Sequence, residues 1–161
     1  LGTANDYYLI GCAFRELKNY QKAIDTFLEA REYFKKAQEV IQVARCDQKL
    51  AHCYIEIADA DNALLYAQKS VDVFETAHDQ RRLTYASFEL GKAQVLNGDI
   101  DAGLSTLERV LDVAAESDLK DFEFIVAIER RIAQVLRSIG REEEANEIER
   151  RISSVSEIIE E

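Results

Sequence analysis

Proline is absent from the 161 residues and only six glycines occur, so the chain has few of the residues that interrupt regular structure. With Ala, Leu, Ile, Glu and Arg abundant, that scarcity predicts a nearly all-helical fold joined by short turns. The three cysteines, Cys12, Cys46 and Cys53, are too few and too oddly numbered for a disulfide framework, and they fit a reducing, cytoplasmic setting. Cys46 and Cys53 stand two helical turns apart, which separates their sulfurs by about 10 Å. Zinc holds its ligands at about 2.3 Å, so even with His52 between them the pair predicts buried thiols and no metal site.

Long apolar runs are missing too. Nothing approaches the roughly 18 apolar residues of a membrane helix, and no basic-then-apolar signal segment opens the chain. Cations are in deficit: 20 Lys and Arg face 31 Asp and Glu, a formal net charge of -11, which argues against general nucleic-acid binding. Methionine is absent even at position 1, which predicts an excised or processed fragment. Histidine is limited to His52 and His78, and no Ser-His-Asp, zinc or phosphate-loop pattern accompanies them. No catalytic activity, cofactor or metal is therefore expected, and His78 reads as a solvated turn residue.

What is present is a pattern that recurs. Over residues 4 to 30, Tyr7, Ile10, Gly11 and Phe14 share one face of a first helix, with Gly11 leaving a hole in it. Ala23, Phe27 and Ala30 share a face of a second helix. The short link Lys18-Asn19-Tyr20 forces the two into an antiparallel pair. Steps of forty, the last of forty-two, carry Gly11 to Ala51, Gly91 and Ala133, and Ala23 to Ala63, Gly103 and Ala145. All eight are small, as close helix approach requires. Ile10 becomes Leu50, Leu90 and Ile132, while Phe14 becomes Tyr54, the polar exception Gln94, and Leu136.

Helices are predicted over 4–17, 20–36, 39–58, 60–77, 79–97, 100–116, 119–139 and 142–160. Asn97-Gly98 and Gly140 are expected to end helices, and Asp99, Ser117 and Asp118 to begin them. The final helix has one apolar stripe, Ala145, Ile148, Ile152, Val155 and Ile159, widened by Ile158. Glu149 stands where the earlier units carry Phe27, Ala67 and Leu107. This stripe is expected to cap the array, and its spacing also suits a homodimer seam.

The aromatic, the Ile10-Gly11 step, Phe14, and the Ala23 and Phe27 pair make residues 4 to 30 resemble the tetratricopeptide repeat, and the forty-residue step is similar to the longer variety of that family. The family's proline after the second helix is replaced by Lys35, so that helix is expected to run on. The resemblance implies an all-α, right-handed superhelical solenoid: a single domain over 1–161 of four helix-turn-helix repeats, about 4–43, 44–83, 84–125 and 126–161.

It also implies that first helices line a concave groove. The corresponding residues include Asn5, Tyr8, Arg15 and Glu16, then Arg45, Gln48, His52 and Glu56. Tyr85, Phe88 and Lys92 follow, then Arg130, Gln134 and Arg137. Five of these are cations and two are anions, whereas acid gathers on second helices and turns at Asp99, Asp101, Glu108, Asp112 and Glu142 to Glu144. A basic, aromatic groove suits an acidic peptide or a C-terminal carboxylate.

The family's carboxylate clamp is absent, because its places hold Tyr8, Cys12, Lys49, Tyr85 and Glu89. A one-repeat shift, to Gln48, His52, Glu89, Ala127 and Arg131, does not restore it. The expected function is a non-enzymatic protein- or peptide-binding scaffold. The alternatives are a ligand-sensing regulatory module of a larger bacterial regulator, or a self-association domain.

Overall fold

The computed structural model describes residues 2–116 and 121–159, with side-chain surroundings up to residue 153. Eight helices occur among the described residues: α1 Gly2–Glu16, α2 Tyr20–Lys36, α3 Val40–Glu56, α4 Ala60–Thr76, α5 Gln80–Leu96, α6 Ile100–Glu116, α7 Phe122–Ser138 and α8 Glu142–Ile159. No strand occurs among these residues. The boundaries follow the expected ones closely, and α2 does run past Lys35. The expected helix starters Ser117 and Asp118 lie outside the described residues.

One turn geometry is used again and again. Lys18, Gln38, Ala58, His78 and Gly98 all have positive φ, between 53° and 93°, as does Gly140 at 80°. After each, an N–H reaches back five residues: Asn19 to Phe14 O (2.9 Å), Glu39 to Phe34 O (3.0 Å), Asp59 to Tyr54 O (2.9 Å) and Asp79 to Phe74 O (3.0 Å). These bonds satisfy the carbonyls that a helix end leaves open. Asn19, Asp59 and Asp79 then cap the next helix by accepting from the N–H of Lys22, Asn62 and Arg82, whereas Glu39 makes no such bond before α3; Asp121 caps α7 by accepting from the N–H of Phe124. Because identical turns join helices within and between repeats, the backbone repeats every twenty residues from Lys18 to Gly98. Only the side chains repeat every forty.

The small positions sit where helices come closest. A Cβ on Gly11 would meet the Phe27 ring at 2.7 Å. One on Gly103 would lie 2.8 Å from the Gly91 carbonyl oxygen, and one on Gly91 would meet Leu107 at 2.8 Å. Ala23, Ala51, Ala63 and Ala145 are fully buried. Gln94, the polar exception, accepts a 2.8 Å hydrogen bond from Thr106 Oγ1 and so ties α5 to α6.

Ile10 corrects the expected inner face of α1, since it is 48% exposed. Its counterparts Leu50, Leu90 and Ile132 are buried because a preceding repeat covers them, and no described helix precedes α1. Cys46 and Cys53 are buried, and burial pushes both thiols up to about 12. In α8, Ala145 and Ile152 are buried and Ile148 packs on the adjoining core. The side chains of Val155, Ile158 and Ile159 lie outside the described ones.

Candidate functional site: the inner face of the first helices

The site follows from which helices touch. Each helix packs on its chain neighbour, and α3 also contacts α1 and α5, while α5 contacts α7. Among the described residues, α2, α4, α6 and α8 make no comparable contacts with one another. Helices that abut on one side and splay on the other bend the array, so the first helices line its inner, concave face.

On that face Tyr8 is half-buried. Its ring lies edge-on to Phe27 at 5.7 Å, and the Arg45 guanidinium sits 4.7 Å from its centroid. Arg45 also donates to Gln42 Oε1 at 2.7 Å. Burial raises the Tyr8 phenol, against the lowering effect of Arg45. Arg15 of α1 pairs with its exposed neighbour Glu16. Asn5 is exposed, and Gln48 is half-buried on α3 beside His52.

His52 joins α3 to α5. Its Nδ1 lies 3.4 Å from Glu89 Oε1 and 3.5 Å from Lys92 Nζ, while Lys92 Nζ approaches Glu89 Oε2 at 2.6 Å in an ion pair off the hydrogen-bond direction. Burial alone would raise the Glu89 carboxyl, but Lys92 and His52 outweigh it and hold it down to about 2. Lys92 also lies 4.7 Å from the Phe88 ring centroid. Its charge is thus compensated inside the fold.

Tyr85 and Phe88 pack on Phe124 of α7, with ring centroids 4.2 and 5.5 Å away. The Tyr85 hydroxyl donates to Asp121 Oδ2 at 2.6 Å, which raises the phenol and lowers the carboxyl. These aromatics bridge the successive first helices α5 and α7. In the last repeat Arg130 and Gln134 are exposed, and Gln134 accepts from Arg131 at 3.3 Å. Arg137 turns toward α8, where it forms a fork with Glu149 at 2.6 and 2.7 Å and reaches Asn146 at 3.0 Å. Glu149, which departs from the repeat pattern, is therefore Arg137's partner.

Glu89 and Lys49 lie outside the groove positions that the repeat family assigns. The signal for Glu89 was its place three residues before Lys92, an ion-pair spacing on a helix. Lys49 is half-buried between Arg45 and His52 on α3, and its ammonium is disfavoured first by burial and then by Arg15.

The geometry accords with known proteins. A family model described as tetratricopeptide repeat matches residues 7–30. Those residues form a tetratricopeptide repeat. Outer dynein arm-docking complex subunit 4 of Bos taurus is 28% identical over 105 residues, which make up 65% of this chain and 15% of that protein. The chain thus matches only a small part of that relative. Among solved structures, a Rap protein complexed with Competence and Sporulation Factor superposes with a TM-score of 0.87 at 22% identity, covering 98% of this chain and 44% of that one. The Rap conjugation gene regulator of the plasmid pLS20, in complex with a Phr peptide, gives 0.79 at 17% identity, covering 99% and 43%. The tetratricopeptide-type solenoid is the shared feature.

Proposed function

We propose that the chain is a non-enzymatic protein- or peptide-binding scaffold, a single unit of four repeats whose partner lies along the inner face of α1, α3 and α5. The observation that carries this reading is the row formed by Tyr8 with Arg45 on its ring, then His52, then Phe88, on abutting first helices. Aromatic and arginine side chains in partly desolvated positions are the usual anchors of a binding surface. The peptide held by one Rap neighbour supports the same use of the fold.

Of the five groove cations, Lys92 and Arg137 are neutralised by Glu89 and Glu149, which leaves Arg15, Arg45 and Arg130, joined by Lys49 on α3, to favour an acidic segment or a terminal carboxylate. The test is selection of short peptides from a random displayed library, followed by capture with wild type and Arg45→Glu. Enrichment of acidic peptides, with capture falling at least about tenfold in the variant, is expected. Undiminished capture overturns the basic-groove reading. Lys92 is unsuited to this test, because reversing it would place two carboxylates together in a buried site.

A second reading is a ligand-sensing regulatory module of a larger bacterial regulator. Its support is the likeness to Rap proteins, of whose chains less than half is covered. A signalling domain in the complete protein, with its output altered by a groove-bound peptide, favours this role. Self-association through α8 has less support, since Ala145, Ile148 and Ile152 are spent on the protein's own core.

A further inference from the structure

We propose that the inner face between α1 and α3 holds a binding site for a phosphate monoester carried on a peptide, formed by Lys49, Arg45 and Arg15. The inference rests on the peptide-binding reading and specifies which anion that surface recognises.

Lys49 is the central observation. It occupies the α3 face between Arg45 and His52, half-buried, yet forms no hydrogen bond or ion pair with any described residue. Glu89 is near enough to favour the charged amine, and it is already held by Lys92 and His52. Arg15 and Arg45 both oppose that charge, and α1, which carries Arg15, contacts α3, where Arg45 lies over the Tyr8 ring of α1. Arg45 lies four residues before Lys49, a spacing that puts the two Cβ atoms about 6 Å apart. Its guanidinium is supported by the Tyr8 ring and Gln42, with no carboxylate partner among the described residues. Among the described residues Arg15 pairs with Glu16, an exposed neighbour whose pairing contributes little in water.

Charge then selects the ligand. With Arg15 set against Glu16 and Lys92 against Glu89, Arg45 and Lys49 remain as surplus cations in a chain of net charge -11. A phosphate monoester carries about -1.5 to -2 at neutral pH and offers three strong acceptor oxygens. It can answer two surplus charges and three donor groups together. A carboxylate brings one charge and two oxygens, and leaves one cation unanswered. Arginine forks suit phosphate oxygens, and lysine adds a compact point charge.

The test observes the Lys49 side chain by NMR of carbon-labelled lysines at constant ionic strength. The probes are N-acetyl-phosphoserine amide, N-acetyl-glutamate amide, N-acetyl-serine amide and inorganic phosphate. The proposal expects a saturable shift of the Lys49 signal, with its proton affinity rising, on addition of phosphoserine amide. It expects a weaker response to glutamate amide and none to serine amide. Lys49→Gln should weaken phosphoserine amide binding about tenfold or more, whereas Lys49→Arg should retain it. Lys49→Gln removes a half-buried charge that burial disfavours, so its melting temperature should equal or exceed that of wild type, which separates lost binding from lost fold.

Glutamate amide binding as tightly as phosphoserine amide, a shift that never saturates, or unchanged affinity in Lys49→Gln overturns the proposal. So does binding of inorganic phosphate without phosphoserine amide, which marks a site for free anions. If these probes fail while Arg45→Glu still abolishes capture of library peptides, the peptide-binding reading stands and the phosphate assignment alone falls.

Discussion

At the scale of single residues, backbone approach and handedness set the tolerances. A side chain on Gly103 would press on the Gly91 carbonyl and on Val95, groups that cannot swing aside as a long side chain can. Gly103→Ala should therefore lower stability by about 1–3 kcal/mol in urea unfolding. Ala58 presents the opposite case: its φ of 59° is costly for any residue with a Cβ, and it is exposed. Ala58→Gly should raise the urea midpoint, by roughly 0.5–1 kcal/mol in stability, because relief of the left-handed strain exceeds the added entropy of the unfolded chain. Gly98 and Gly140 made their turns legible in the sequence. At Lys18 and His78 the turn was legible but its left-handed backbone was not, and at Gln38 and Ala58 neither was, because the geometry there is imposed by helices closing on each other and not by the residue's own preference.

Between elements, the periodicity of small and large side chains revealed nearly all helix limits and the antiparallel pairing. Ile10 escaped that logic, since burial at its position depends on a preceding repeat. The charge network escaped it as well. Repeat position placed Lys92 and Arg137 in the groove set, but their charges are answered by Glu89 and Glu149, and no positional rule reports which partner a long side chain chooses. The Glu89, Lys92 and His52 cluster is the polar link between α3 and α5. Glu89→Gln leaves Lys92 buried without its counter-charge and should cost about 3 kcal/mol at neutral pH.

The pH dependence follows in sign from the lowered Glu89 carboxyl. Its stabilisation is complete above the usual carboxylate range, near pH 4.5, and is lost as pH falls from there through about 2. The stability difference between wild type and Glu89→Gln should therefore shrink across that acid window. A difference that stays constant through it contradicts the ionic account.

For the whole molecule, curvature turns four similar units into one surface. Among the described residues first helices contact one another and second helices do not, and Tyr8, Arg45, His52 and Phe88, distant in sequence, stand on those first helices. The resemblance to the repeat family implied that first helices line a groove, whereas the partners that answer Lys92 and Arg137 were not legible, because neutralisation depends on contacts between helices. The central claim is that recognition occurs on this inner face. The most direct measurement is backbone NMR shift mapping with the peptides selected from the displayed library. The account predicts perturbed amides grouped around Tyr8, Arg45, Lys49, His52 and Phe88 on α1, α3 and α5. Perturbations grouped on the outer helices α4 and α6, or along α8, would contradict it.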